Sequence, residues 1–281
     1  MLKIHKPGFF TSLQDRGRFH YRDLGVPVSG ALDQSAMSRA NALLENEADN
    51  AVLEITMQGP ELEFEQPTFM VMCGAPLEAE LDGEPIQMDK VYRVNEGAVL
   101  QCGHVLQGFR TYLAVRGGFL SDKKLGSRSQ YYPVTRRPVL VKAMEIPYKA
   151  CNDFEPKLLK WSAPGHFGEK ELRVYPAPEF QQLSQLHKNQ IFDGVFQLAK
   201  EHNRMACQLQ PSIDRHSIQM ITSATLPGTV QLTPAGRLII LMRDGQTTGG
   251  YPRILQMDME SQDLLSQKRF GDSVSFKMVK P

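Results

Sequence analysis

The stretch Asp244–Arg253, DGQTTGGYPR, carries more chemically useful groups than any other part of the chain. Gly249 and Gly250 expose backbone N–H groups with no side chain in front of them, and such groups can line an anion or oxyanion site. Gln246, Thr247 and Thr248 add neutral donors and acceptors. Tyr251 adds a phenol and Arg253 a forked cation suited to a carboxylate or phosphate. A Gly-Gly pair is equally at home in an ordinary β-turn capped by hydroxyls.

A second group lies in Thr11–Asp33, where Gln14, Asp15, Arg16 and Arg18 are followed by His20, Tyr21 and Arg22. Asp15 beside two arginines can hold one of them in place for an anionic ligand. The alternative is a solvated charge run whose pairs contribute little. Ser29 and Asp33 flank Gly30, and Asp33 reads as a ligand-facing carboxylate or as a helix N-cap. Arg128, set between serines in Gly126–Ser129, suits an oxyanion or a surface turn. Arg204 in NRMACQL can meet a carboxylate or lay its stem on the surface. Glu54 in VLEIT is expected to face solvent by strand alternation.

Several chemistries are missing. No GxxxxGK[ST] loop, GxGxxG turn, HExxH or G-x-S-x-G elbow occurs, and the seven histidines are scattered, so no metal site is expected. Cys73, Cys102, Cys151 and Cys207 form no CxxC pair, and the first two read as small buried hydrophobes. With 32 Lys+Arg against 31 Asp+Glu the net charge is +1, which argues against nucleic acid or an acidic membrane as partner. The N-terminus lacks an apolar signal region and no stretch is long enough to span a bilayer, so the cytoplasm is the expected location.

These groups must be positioned by a chain rich in short strands. Its 281 residues are 41% hydrophobic, enough for one large domain or two modest ones. Expected strands are Met1–His5, Ala51–Met57, Glu61–Phe64, Thr68–Cys73, Glu78–Leu81, Lys90–Val94, Val99–Cys102 and Arg110–Val115, with a hairpin turn at Asp82-Gly83. Asp33 would cap a helix over Gln34–Glu45, and Thr11–Asp33 reads as a functional loop. Tyr148–Gly165 is the best linker. Beyond it come a strand at Glu171–Tyr175 and helix formers over Phe180–Glu201. Further strands are expected at Ser217–Ile221, Gly228–Leu232, Leu238–Met242, Arg253–Met257 and Ser273–Met278. Many short strands with frequent turns predict a mainly β fold, a barrel or sandwich.

TSLQDRGR at Thr11–Arg18 and GVPVSGALD at Gly25–Asp33 resemble the opening signature of the allophanate hydrolase subunit 2 family, also called the biotin-dependent carboxyltransferase family. The likeness continues through Asn46–Phe64, Gly74–Ile86, Tyr112–Phe119, Leu125–Tyr131, Asn203–Leu209, Pro227–Ile254 and Arg269–Phe276. Three places depart from the family pattern: Ala206-Cys207 follows Met205 where glycine is usual, Gln130–Tyr148 is short and basic, and Ala177-Pro178 replaces Gly-Pro.

The resemblance implies a cyclophilin-like β-barrel architecture in two subdomains with a few short helices: 1–150 with the LQDRGR loop and 166–281 with the QTTGGYPR loop. It implies an ATP-dependent 5-oxoprolinase complex that opens 5-oxoproline to L-glutamate. The partners would be the A and B components of that complex, the B component being similar to allophanate hydrolase subunit 1. ATP would be shared with those partners and no biotin would be attached to this chain, which lacks the attachment tetrapeptide. It also implies two alternatives: half of a biotin-dependent carboxyltransferase acting on a urea-like amide, or a regulatory binding protein that sequesters a kinase inhibitor. A lactam is a stabilised amide, and phosphorylating its carbonyl oxygen would activate it for opening. On that logic Gly249, Gly250 and Arg253 would hold the developing anion, and Thr247, Thr248 and Tyr251 would position the ring or its carboxylate. Gln14, Asp15 and Arg18 would form the facing wall.

Overall fold

The computed structural model describes residues 1–158, 160–161 and 166–279. They form two compact units, Met1–Arg18 with Ser29–Phe167, and Phe19–Val28 with Gly168–Pro281. The chain thus lends ten residues of its early polar stretch to the second unit.

The first unit has two antiparallel sheets. In one, strands run in the order Glu145–Ile146, Leu2–Lys6, Glu61–Phe64, Val99–Val105, Leu77–Leu81 and Glu84–Pro85. The other runs Phe10–Gln14, Val52–Thr56, Arg110–Val115, Thr68–Gly74 and Tyr92–Val94. A continuous core holds Leu2, Ile4, Phe64 and Leu100 together with Leu53, Ile55, Leu113 and Val115. On its opposite face the five-stranded sheet carries helix Gln34–Leu43, whose Met37, Ala40 and Leu43 cluster with Val52, Val71, Tyr112 and Ala114. Covered on both faces, Val52–Thr56 and Arg110–Val115 are buried at every position. The expected hairpin is present, with Leu81 opposite Glu84 and both Asp82 and Gly83 at positive φ.

The second unit is built around a closed seven-stranded barrel. Its strands follow the order Glu171–Pro176, Arg253–Met257, Thr229–Leu232, Leu238–Leu241, Ala206–Gln210, Phe196–His202 and Ser273–Met278. A parallel pairing of Glu171–Pro176 with Ser273–Met278 completes it. Closure removes the exposed strand edges that an open sheet would leave. Alternation along the strands buries Leu172, Val174, Val274 and Phe276. Short helices Gln185–Phe192 and Met259–Ser266 are capped by Ser184 and Asp258.

Several expectations change. Thr11–Gln14 lies in a strand, Phe10–Gln14, paired with Val52–Thr56, so the loop starts only at Asp15. Helix formers over Phe180–Glu201 give one helix only to Phe192; strand Phe196–His202 takes the remainder. No strand forms at Ser217–Ile221, while Ala206–Gln210 is a barrel strand whose polar alternation hides it in the sequence. The expected linker is tied to the first unit as far as Trp161. Cys151 N donates to Pro67 O at 2.8 Å, Trp161 N donates to Asp89 O at 2.9 Å, and Phe154 meets the edge of Phe69. Its positions 159 and 162–165 lie outside the described residues. Among the described residues no helix is long and apolar enough to cross a membrane.

Candidate functional site

In the first unit the candidates converge on one buried carboxylate. Asp15 Oδ1 accepts from Ser127 Oγ at 2.7 Å, Ser129 Oγ at 2.6 Å and Gly17 N at 2.9 Å, and Oδ2 accepts from Arg128 N at 2.6 Å. Four donors on one carboxylate fold Gly126–Ser129 onto the end of strand Phe10–Gln14. Arg18 is fully buried, donating to the carbonyls of Lys124 and Ser129. Gln14 donates to Ser12 Oγ and Gln130 O. Asp15 O accepts from Ala31 N at 2.9 Å, which brings the Ser29–Asp33 turn into the same cluster. Gly30 sits there at φ +85°, and a Cβ would lie 2.8 Å from Asp15 O, so only glycine fits.

Ser29 is buried at φ +56°, and Asp33 caps the helix by accepting from Ala36 N at 2.8 Å. The cap reading of Asp33 is therefore the one the geometry supports. Glu54 is a correction: it is fully buried, not solvent-facing. Its strand lies between sheet core and helix, so alternation turns it toward the helix side instead of toward water. Glu54 Oε2 accepts from Leu32 N at 2.7 Å and Tyr112 Oη at 2.8 Å, and Tyr112 Oη in turn accepts from Asp33 N. Arg110 Nε lies 3.7 Å from Glu54 Oε1. Burial and the Glu54 and Asp33 carboxylates push the Tyr112 phenol well above its ordinary value. Within the first unit these contacts tie Gln14–Arg18, Gly126–Gln130 and Ser29–Asp33 into one buried polar cluster. Of the residues expected to bind substrate here, only Arg128 is half-exposed.

In the second unit the DGQTTGGYPR loop is fixed at both ends by ion pairs. Arg204 Nε donates to Asp244 Oδ2 at 2.7 Å, both side chains being buried. Arg204, expected at a ligand, instead ties the NRMACQL turn to the start of the loop. Arg253 Nε and Nη2 donate to the two oxygens of Glu179 at 2.9 and 2.8 Å, and Nη1 donates to Ala224 O. Arg253, expected to hold an anion, thus has its charge paired within the unit. Thr248-Gly249 pairs with Ser223-Ala224, and a Cβ on Gly249 would strike Gln231 Nε2 at 2.5 Å. Gly250 has open space before it, with nothing within 4 Å of a built Cβ. Gln246, Thr248, Gly250 and Tyr251 form the exposed side of the loop, and Thr247 is buried.

The hydrogen bonds from Arg253 hold the Glu179 carboxyl below its ordinary 4.5. A depressed carboxyl adds stability that is present above pH 4.5 and is lost as pH falls through its folded value. Glu179→Gln is therefore expected to cost about 2 kcal/mol at pH 7. Urea denaturation from pH 7 to pH 3 checks this: the gap between wild type and variant narrows below pH 4.5. A gap constant with pH would mean that the pair is not what the variant removes.

One cation next to this loop is Arg22, from the Phe19–Val28 segment that joins the second unit. Its Nη2 donates to Thr225 O, and Thr225 is bound to the loop through its Oγ1 on Gln246 O and its N on Thr247 O. Arg22 Nη1 is shielded from solvent and has no hydrogen-bond partner, and no carboxylate pairs with Arg22 among the described residues. Burial lowers its pKa. Sequence patterns do not mark Arg22, Thr225 or Glu179 as site residues. Arg22 is visible there only as part of a charge run, and nothing in the sequence links it to a loop more than two hundred positions away.

Around the DGQTTGGYPR loop the arrangement offers backbone N–H, hydroxyls, a phenol and the Arg22 guanidinium. Residues 24–278 match the family model described as "Carboxyltransferase domain, subdomain A and B". Over 287 aligned residues the chain is 32% identical to the C component of 5-oxoprolinase from Escherichia coli (strain K12), covering 98% of this chain and 90% of that protein. It is 36% identical over 131 residues to urea amidolyase of Saccharomyces cerevisiae, covering 46% of this chain and 7% of that one. The crystal structure of TTHA0988 superposes with a TM-score of 0.89 at 28% identity, covering 98% of this chain and 55% of its own.

Proposed function

The chain belongs to the family of carboxyltransferase domains with subdomains A and B, and on that premise we propose that it is one component of an ATP-dependent complex that opens 5-oxoproline to L-glutamate. The observation that carries this reading is the end-to-end agreement in length with a stand-alone relative named as a 5-oxoprolinase component. On this reading the chain is inactive alone and works with partners of the A and B kinds. ATP is a co-substrate of the assembly, and its phosphoryl group activates the lactam carbonyl. Gly250 N–H and the Arg22 guanidinium stabilise anionic groups of the reacting molecule, while Thr248 and Tyr251 orient it. Glu179, Arg253, Asp244 and Arg204 position the loop.

If Arg22 anchors a carboxylate, Arg22→Gln lowers kcat/KM about 10–100-fold, chiefly through KM, and leaves the melting temperature in place. An unchanged KM would remove Arg22 from the site.

The half-chain likeness to urea amidolyase favours a second reading, a biotin-dependent carboxyltransferase. Avidin separates the two. Glutamate formation from 5-oxoproline and ATP is expected to be insensitive to avidin, and no label should pass from bicarbonate to a urea-like amide. Avidin-blocked label transfer would establish the second reading instead.

A further inference from the structure

The first unit contains a cavity of about 500 Å³ between the Ser121–Gln130 turn and the stretch from Thr135 to Pro147. Lys124, Arg128, Arg136, Arg137 and Lys142 line it, against the carboxylates of Asp122 and Glu145 only. None of those five cations has a carboxylate within ion-pair distance among the described residues. In a chain of net charge +1 this is a strong local excess of positive charge. Such an excess is costly through self-repulsion and is relieved when an anion binds. Leu13, Leu140, Met144 and Ile146 supply an apolar floor.

The walls are built rather than loose. Gln130 N donates to Leu13 O at 2.9 Å, Leu140 N to Thr11 O at 2.8 Å and Ala143 N to Ile4 O at 2.9 Å. Thr135 Oγ1 donates to Arg137 O at 2.8 Å, shaping the basic turn from within. Arg128 is held by its backbone on Asp15 Oδ2 and by its guanidinium on Ser121 O. The backbone walls, Arg128 and the apolar floor are therefore held in place without a ligand, and the volume suits a small molecule.

We propose that this cavity binds a small organic polyanion, its apolar part on the Leu13–Leu140 floor and its phosphate or carboxylate groups on the arginines and lysines. Three arginines favour planar, forked contact with such groups. The site belongs to the first unit alone and stands whether or not the chain serves a 5-oxoprolinase, because the test reads binding rather than turnover.

The probes are ATP as an organic polyphosphate, citrate as a polycarboxylate, and pyrophosphate and adenosine as the two halves of the first. Calorimetric titration of the full chain is expected to show saturable binding of ATP or citrate, weakened several-fold between 50 and 200 mM salt by screening (about 14 to 7 Å in Debye length). Which of the two binds tighter identifies the anionic group. The Arg136→Gln/Arg137→Gln double variant and Lys142→Gln should each weaken it about tenfold or more with unchanged melting. Lys149→Gln, an exposed lysine outside the lining, should not. Three results would overturn the proposal: no saturable binding of either probe at millimolar concentration, binding indifferent to the variants, or pyrophosphate binding as tightly as ATP.

Discussion

Glu54→Ala is expected to lower the unfolding free energy by about 3–5 kcal/mol. The variant removes a carboxylate with no exposed surface and leaves Arg110, whose side chain is 5% exposed, without its buried counter-charge. It also strips the acceptor from Leu32 N and from Tyr112 Oη. Tyr112→Phe removes the hydroxyl between Glu54 and Asp33 N and should cost about 1–3 kcal/mol. Both changes lie in one network, so the double variant should lose less than the sum of the two. Urea denaturation of the three variants measures this. A loss under about 1 kcal/mol for Glu54→Ala would mean that the network does not hold Leu32 and Asp33 in place.

Gly250→Val is expected to reduce turnover about 10²–10³-fold, the size of one lost transition-state donor, while the protein melts as wild type and still binds its partners. The open space in front of Gly250 makes this a clean test, since an added Cβ has no protein atom within 4 Å. Gly249→Val is the contrast: its side chain would strike Gln231, so it should lower the melting temperature as well. Arg253→Lys follows Gly249→Val. It keeps the charge but not the two-point contact with Glu179, and both stability and activity should fall. Melting, partner pull-down and turnover on the three variants distinguish a binding loop from a structural turn. Normal turnover in Gly250→Val would take the loop out of the site.

The mainly β character is plain in the sequence because short apolar runs ended by Gly, Pro and Asp admit few other folds. Strands Glu61–Phe64, Arg110–Val115, Arg253–Met257 and Ser273–Met278 stand at the residues the pattern predicts. Strands with polar alternation, such as Ala206–Gln210, are not legible, because their stability comes from barrel neighbours distant in sequence. Glu54 shows the same limit at one residue. Alternation says which face a side chain takes, but not that helix Gln34–Leu43 covers that face. The continuous apolar run around it, AVLEIT, is the available hint of a strand buried on both sides. In the DGQTTGGYPR loop the exposed members are recognisable by type. That Arg253 and Arg204 are paired by Glu179 and Asp244 depends on partners 74 and 40 positions away.

The most direct measurement is glutamate release from 5-oxoproline and ATP by the purified partner chains, with and without this one. Release is expected only when the chain is present, restored by wild type and not by Gly250→Val. Full release by the partners alone would contradict it.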